Sequence, residues 1–343
     1  MLPKKLLILQ ILEVLRKYSD ESHPLTQTQI IELLRRHFGV ECDRKSVKRN
    51  IDALLDMNFN LNSQSHTRIL DGGEETVAHT KWNYLHEFTE GELHLIINSI
   101  LFSRSISASQ CLQLIEKLKG LASVHFEPHV KNVRPLPCKF VENKQLFYTI
   151  EILGEAIEQR KQVVFNYINY GYDKKPHVRK DRDGKPKIYT VNPYYMAAAN
   201  GRHYLICTWE PECNISHLRL DRIANIKITD ASAKPKRTVK GLEKGLPKYL
   251  AEHIYMFVGE KVTVEFLIAE KGINDVIDWF GTDVSIRKYQ DDKVCVKVEV
   301  NENAMFFWAL QYGLAVEVIK PEGLRTRLLA AAEEMVKKYS RTE

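Results

Sequence analysis

The sequence contains no apolar run that approaches the roughly 18 residues required for a membrane-spanning helix. Its basic and apolar start, MLPKKLLILQILEVL, resembles a signal peptide, but it includes Gln10 and Glu13 and offers no cleavage site of small residues. We therefore expect the first residues to form an amphipathic helix, and the protein to be cytoplasmic and without membrane contact.

Clustered metal ligands and common catalytic motifs are also missing. The six cysteines are scattered without a Cys-x-x-Cys pair, whereas a zinc site needs thiolates or imidazoles at short spacings. The chain has no P-loop, no GxGxxG after a strand, no HExxH and no GxSxG. These absences predict a protein that is not an enzyme, with reduced thiols and with no catalytic residues, metal site or cofactor.

The excess of positive charge is small. Lys and Arg number 50 against 44 Asp and Glu, which gives a formal net charge of +6. Only a local cluster of basic residues can therefore indicate a nucleic-acid partner. The length of 343 residues and an apolar fraction of 44% are sufficient for the packed cores of two or three domains.

The first part of the chain predicts three helices followed by a hairpin. An apolar stripe on the first helix is formed by Leu6, Leu9, Leu12 and Leu15. Thr26 or Thr28 is placed to cap a second helix that Gly39 ends, and Asp43 is placed to cap a third. An Asp-Gly-Gly sequence at 71–73 then separates two β-prone runs. This layout is that of a winged helix-turn-helix domain.

The third helix carries the basic cluster that favours DNA. Its apolar positions Val47, Ile51 and Leu54 would pack inward, which leaves the basic side chains outside, near the helix N-terminus that reads base edges in such domains. The predicted DNA-binding residues are Arg44, Lys45, Ser46, Lys48 and Arg49, with Arg68 on the hairpin. The alternative is an ordinary solvated face, partly neutralised by Asp43 and Asp52.

The sequence after the hairpin predicts helices, then a strand-rich segment, and then a module of alternating strands and helices. Thr89 and Glu92 form a capping-box pattern ahead of the first of three helices. Basic residues outnumber acidic ones in a loop at 171–190 and in the stretch at 231–248. Each of these two segments would either lie beside an anionic ligand or be an ordinary solvated loop. The last part has the order β-α-β-β-α-β of a ferredoxin-like module. One of its strands alternates in period two, with the apolar positions Val294, Val296, Val298 and Val300.

A family resemblance becomes specific in the strand-rich segment. The sequences VNPYYMAAANGRHYLICTW (191–209) and NISHLRLDRIANI (214–226) resemble the core of the WYL domain, and VFNY (164–167) resembles its opening strand. The name-giving triplet falls on His203-Tyr204-Leu205, so that histidine stands where the family has its first aromatic residue. This difference leaves the expected fold intact and bears on the choice of ligand.

The resemblance extends over nearly the whole chain, and it implies a bacterial transcriptional regulator, often homodimeric. It implies an Sm-like barrel that senses nucleotides, oligonucleotides or other anions. The ligand-binding residues that we predict are Tyr195, Tyr204, His217, Arg219 and Arg222. On a strand, His217, Arg219 and Asp221 would share one face while the intervening leucines face the core. The alternatives are amphipathic surface packing of these Arg and Tyr side chains, and a structural pair of Arg222 with Asp221.

We predict an α+β multidomain protein with four parts. These are a winged helix-turn-helix DNA-binding domain (1–86), a helical connector or dimerisation region (87–160), an Sm-like β-barrel WYL ligand-sensing domain (161–230), and a linker with a ferredoxin-like, WCX-like C-terminal module (231–343). The predicted function is ligand-responsive, sequence-specific transcriptional regulation by a homodimer, whose partners are a double-stranded DNA operator and an anionic effector. The alternative is a single-stranded nucleic-acid-binding accessory module of an antiphage or RNA-associated system, without direct transcriptional output.

Overall fold

The structure is a computed structural model that divides into two compact units, residues 1–140 and 141–343. It describes residues 6–69, 75–127, 145–210, 214–239, 242, 256–257, 261–290 and 292–340. The protein is of the mixed α+β class, with antiparallel sheets in both units. None of the helices in the described ranges is both long and apolar enough to cross a membrane.

The first unit contains three helices, a hairpin and two further helices. In chain order the elements are α1 (Leu7–Tyr18), β1 (Leu25–Thr26), α2 (Gln27–Phe38), α3 (Arg44–Asp56), β2 (Leu61–Ile69), β3 (Glu75–Tyr84), α4 (Glu90–Phe102) and α5 (Ala108–Lys119). The three strands form an antiparallel sheet in the order β1-β3-β2. The turn predicted at 71–73 lies outside the described residues.

Local capping determines where the helices of the first unit begin and end. The Thr26 hydroxyl accepts a hydrogen bond from the Gln29 amide at 3.3 Å, and the Gln29 side chain accepts from the Thr26 amide at 2.8 Å. Thr26, not Thr28, is therefore the cap of α2. Gly39 follows α2 in the left-handed conformation at φ +64°, which favours glycine. The predicted caps Asp43 and Thr89 are confirmed.

The apolar stripe predicted for α1 is wrong in part. Ile11, Val14 and Leu15 are fully buried, whereas Leu9 is 58% exposed and Leu6 is 37% exposed. A constant spacing of three residues turns by about 300° per step, so such a stripe drifts around a helix of 3.6 residues per turn. The buried face alternates between spacings of three and four, and it packs against α2, α3 and β3.

The second unit begins with a helix packed on a β-sheet. Its elements are α6 (Leu146–Glu158), β4 (Lys161–Tyr170), β5 (Pro176–Val178), β6 (Ile188–Ala199), β7 (Arg202–Trp209), β8 (Ile215–Arg219) and β9 (Ile223–Ser232). The sheet order is β5-β4-β6-β7-β8, and β9 pairs with β4. α6 buries Leu146, Leu153 and Ala156, and it packs against β4, β6 and β9.

The last part of the second unit is a four-stranded sheet with helices. Its elements are β10 (Lys261–Ala269), α7 (Ile273–Phe280), β11 (Ser285–Gln290), β12 (Lys293–Asn301), α8 (Glu302–Gln311), β13 (Val316–Lys320) and α9 (Glu322–Tyr339). The antiparallel order is β11-β12-β10-β13. The predicted alternation in β12 is confirmed, with Val296 and Val300 fully buried. Cys295 on the other side of the strand is also buried, at 2% exposure.

Candidate nucleic-acid interface and candidate ligand face

The predicted DNA-binding residues of the first unit lie on the outer side of α3. Val47, Ile51 and Leu54 are at most 1% exposed and attach the helix to the core. The exposed basic side chains are those of Arg44, Lys45, Lys48 and Arg49. All four lie in the first two turns, while the acidic Asp52 and Asp56 lie further along the helix. Positive charge is therefore concentrated at the end of α3 that follows the turn from α2.

Two of the predicted DNA-binding residues also have structural partners. The Ser46 amide donates to the Asp43 carboxylate at 2.7 Å, and the Ser46 hydroxyl donates to the same carboxylate at 3.2 Å. The Ser46 amide bond is the main reason that the pKa of Asp43 lies below its ordinary value. The Arg44 guanidinium donates to the Thr28 hydroxyl at 3.0 Å, next to the beginning of α2. Ser46 thus belongs to the helix cap, and Arg44 connects the two helices.

At Arg68, the predicted DNA contact on the hairpin, the structure describes only the backbone. Arg68 lies on β2, where it pairs with Thr76 of β3, and the position of its side chain lies outside the described part of the chain. Lys81 on β3 is exposed and pairs with Thr26 at the beginning of α2. In the described part of the hairpin, Lys81 is therefore an exposed cation, and it lies where β3 pairs with β1, the strand that leads into α2.

In the second unit, the strand register brings most of the predicted ligand-binding residues to one face. Tyr204 on β7 pairs with Arg219 on β8, and Ile206 pairs with both His217 and Tyr195. Residues directly opposite each other in antiparallel strands point to the same side of the sheet. Tyr195, Tyr204, His217 and Arg219 accordingly form one half-buried group, which we call the ligand face.

The expectation that Asp221 continues the strand is wrong. β8 ends at Arg219, and Leu220–Arg222 form a turn of 3-10 helix. This turn brings the Asp221 carboxylate against Arg219, whose Nε donates to Oδ1 at 3.0 Å while a terminal nitrogen donates to Oδ2. Arg219 is thus a bidentate partner of Asp221. The Asp221 side chain is 1% exposed, so the pair is largely desolvated.

The ionisation of Arg219 reflects this pairing. Burial disfavours the charged guanidinium, but the hydrogen bond and the charge of Asp221 outweigh burial and hold the pKa of Arg219 above its ordinary value. The Arg219 amide also donates to the Tyr167 hydroxyl at 3.0 Å. Burial is the main reason that the pKa of Tyr167 is raised. Arg219 is therefore a charged group held in a fixed orientation at the edge of the ligand face.

Arg222 and Arg179 both lie near Tyr167. The Arg179 guanidinium lies 4.9 Å from the centre of the Tyr167 ring, and one of its terminal nitrogens donates to the Tyr189 hydroxyl at 3.4 Å. Arg222 lies close enough to affect the ionisation of Tyr167. The Nε atoms of both arginines are buried without an acceptor among the described residues. In the sequence, Arg179 is only one cation of the basic loop at 171–190, because nothing local marks its contact with Tyr167.

Residues downstream of β9 cover the ligand face. Val239, Leu242 and Met256 are 4–6% exposed. They belong to one apolar cluster with Tyr194, Ala197 and Ile206, against which Tyr195, Ala199, Tyr204 and Ile215 pack. Val239 and Leu242 lie in the stretch at 231–248 that the sequence predicted as a linker or long connection, and Met256 follows it. The contact was not foreseen because the covering residues are distant in sequence from the strands that they cover.

His203, which occupies the position of the family's first aromatic residue, is half-buried on β7. Its burial is the main reason that its pKa is lowered, and the nearby Asp221 opposes that effect. Among the residues that the structure describes, no group of three or more His, Cys, Asp or Glu side chains is arranged to hold a metal ion.

Two domain-family models match the chain. The WYL domain matches residues 148–228, which includes most of α6, and the WCX domain matches residues 260–336. A comparison with curated proteins finds no match.

Solved structures give distant similarities. One is proteasome accessory factor B/C (PafBC) of Arthrobacter aurescens, at 14% identity and a TM-score of 0.29, with 97% of this chain and 49% of that chain covered. This chain therefore spans about half the length of that structure. Another is a CRISPR Cas-related protein, at 12% identity and a TM-score of 0.38, with 93% of this chain and 79% of that chain covered.

Proposed function

Since this chain is a WYL-domain protein in which a WCX domain follows the WYL domain, we propose that it is a ligand-responsive transcriptional regulator. Residues 1–86 bind operator DNA, and the WYL domain binds an anionic effector, either a nucleotide or a short nucleic acid. The regulator acts in the cytoplasm as a homodimer. The observation that carries the proposal is the group of exposed basic residues at the start of α3.

The order of elements supports this assignment part by part. Three helices followed by an antiparallel hairpin, with a third strand ahead of α2, are the arrangement of a winged helix-turn-helix domain. The antiparallel strands around β4 are compatible with the Sm-like barrel that the WYL resemblance implies. The β-α-β-β-α-β order of the last part, with β10 and β12 as central strands, is that of a ferredoxin-like module.

DNA recognition in this proposal follows from the position of charge on α3. The helix enters the major groove with its N-terminal end, so that Lys45, Lys48 and Arg49 reach phosphates and base edges. Arg44 holds α2 and α3 together through its hydrogen bond to Thr28. Arg68, on the hairpin, contacts the DNA backbone. Each neutralised phosphate releases condensed counterions, which makes the affinity strongly dependent on salt.

The effector acts through the ligand face. Arg219 presents its remaining guanidinium donors to an anion, Tyr204 and Tyr195 stack a base, and His217 and Arg222 supply further donors. In a homodimer the effector favours one relative placement of the two DNA-binding domains, and it shifts operator affinity only by its differential affinity for the two placements.

The proposal is tested by selecting DNA that binds the full-length protein from a pool of random duplexes, at several salt concentrations. Enrichment of a palindrome or of paired repeats is the expected result, because a two-fold dimer reads two half-sites. The absence of enrichment, together with tight single-stranded binding that survives loss of residues 1–86, would replace the proposal with the accessory-module alternative.

A further inference from the structure

The chain segment that covers the ligand face contacts the same side chains that are proposed to bind an anionic ligand. The Nδ1 atom of His217 lies 2.6 Å from the backbone carbonyl oxygen of Met256. The Lys236 ammonium lies 4.4 Å from the centre of the Tyr195 ring. Two polar or aromatic groups of the ligand face are thus engaged by the chain itself.

Apolar contacts complete the cover. The side chains of Val239, Leu242 and Met256 are almost fully buried, and the cluster that they form includes Ile206 and, at its edge, Tyr204. Because Tyr204 packs against this cluster, a base that stacks on Tyr204 would compete with the apolar contacts of the cluster. All three side chains are buried in one cluster with residues of β6 and β7, so the cover is an apolar contact and not an incidental approach.

We propose that Val239, Leu242 and Met256, here named the covering residues, are an intramolecular competitor of the anionic ligand. The inference rests on the proposed function, because it concerns access to the same ligand face. In the covered state, Arg219 keeps its partner Asp221, while His217 and Tyr195 are engaged by the cover. Binding of the ligand requires the covering residues to leave the face, and the apparent affinity is reduced by the fraction of molecules in which they have left.

The cover also connects the ligand face to the C-terminal module. Phe257, directly after Met256, stacks on Phe307 of α8 with ring centres 5.3 Å apart. Because adjacent residues share a backbone, movement of Met256 away from His217 pulls on this stack. Displacement of the cover by a ligand therefore changes a contact of the WCX domain, which gives the ligand a physical route to the rest of the protein.

The first test compares ligand affinity with and without the cover. The probe is a short, fluorescein-labelled, 5′-phosphorylated single-stranded oligodeoxythymidine, whose anisotropy reports binding to the full-length protein. Leu242→Ser and Met256→Ser, singly and together, should lower the Kd of the probe, by about tenfold for the pair. Met335→Ser on α9 is the matched control, because it removes a methionine that is 43% exposed and outside the cover, and it should leave the Kd unchanged. Competition by ATP distinguishes a mononucleotide ligand from an oligonucleotide.

A second measurement needs no variant and is therefore independent of folding defects. Saturating probe should increase amide hydrogen exchange at Met256 and Phe257 in the wild-type protein, because the cover is displaced. The proposal is overturned if the folded Leu242→Ser and Met256→Ser variants bind the probe with unchanged affinity. It is also overturned if amide exchange at Met256 is unchanged or slower when the probe is bound. Operator selection with the wild-type protein separates this failure from that of the proposed function, since it does not depend on the cover.

Discussion

The Arg219 guanidinium forms two hydrogen bonds with the Asp221 carboxylate, and both groups lie largely out of solvent. At the scale of a single residue, this pair determines what Arg219 can offer to a ligand. A guanidinium held by a buried carboxylate keeps its charge and its orientation, and it retains donors that point away from the carboxylate. The geometry suits recognition of a phosphate without a large loss of side-chain entropy on binding.

Loss of the Asp221 carboxylate should destabilise the second unit. Asp221→Ala leaves a largely buried guanidinium without its partner, which costs about 3 kcal/mol in the free energy of unfolding. Urea denaturation followed by circular dichroism measures the change. Asp173→Ala removes a carboxylate that is 34% exposed and pairs with His177 on the surface, and it should have little effect. Equal stabilities of the two variants would contradict the structural role of the pair.

Elements of the first unit are held in place by caps and by contacts between helix ends. α2 begins at a complete capping box, and α3 begins at an aspartate cap. The loop after α5 joins the end of α1 through hydrogen bonds from Ser123 to Asp20 and from the Val124 amide to the Lys17 carbonyl. The caps are local contacts that set where α2 and α3 begin, whereas the Ser123–Asp20 bond joins residues that are 103 apart in the sequence.

Removal of the α2 cap should weaken the first unit. Thr26→Ala deletes the acceptor for the Gln29 amide, and caps of this type contribute about 1 kcal/mol to the free energy of unfolding. Thr28→Ala is the control, because Thr28 lies inside α2 and bonds only the Arg44 side chain among the hydrogen bonds identified. Thermal unfolding of both variants decides the question, and a larger loss for Thr28→Ala would show that the cap is misassigned.

The Asp20 contact predicts a loss of stability at acidic pH. Burial opposes the ionisation of Asp20, but hydrogen bonds from Ser123 and His23 outweigh it and hold its pKa below the ordinary value of 3.8. Because the folded state lowers this pKa, the stabilisation is fully present above pH 3.8 and is lost as the pH falls through the lower pKa of the folded state. Asp20→Asn should therefore flatten the fall in stability below pH 3.8. Parallel acid profiles of the two proteins would rule out this role for Asp20.

At the scale of the whole molecule, the small net charge of +6 is distributed so that one helix end carries four exposed cations. The proposed regulator therefore attracts DNA through a local field rather than through its overall charge. Affinity for any duplex should depend on salt to an extent set by the number of phosphates that these cations neutralise.

A single lysine on α3 should contribute measurably to the salt dependence of DNA binding. Lys48→Ala should weaken binding to all duplex sequences alike and lower the slope of log Kd against log salt by about 1, if Lys48 contacts one phosphate. Lys117→Ala on α5 is the matched control, since Lys117 is equally an exposed lysine of the first unit. Fluorescence anisotropy over a salt series gives both slopes. An identical reduction for both variants would show that binding follows total charge and not α3.

The sequence by itself determined the features that depend on neighbours within a few residues. The caps at Asp43 and Thr89 and the end of α2 at Gly39 follow from local hydrogen-bonding and backbone preferences, whereas the choice of Thr26 over Thr28 as the cap of α2 came from the structure. The register that places Tyr204 and Arg219 on one face also agrees with strand alternation. The apolar face of α1 was only partly predicted, because several leucines compete for one side of a helix and packing selects among them.

Only the tertiary structure decided what surrounds the ligand face. Asp221 pairs with Arg219 because the chain turns after β8, and that turn depends on packing of Leu220 in the core. Met256 reaches His217 across a separation of 39 residues. Contacts at such separations leave no periodic or local signal, because their energy comes from burial against side chains that the fold brings together. The sequence therefore identified the residues of the face, and the fold determined that the chain itself covers it.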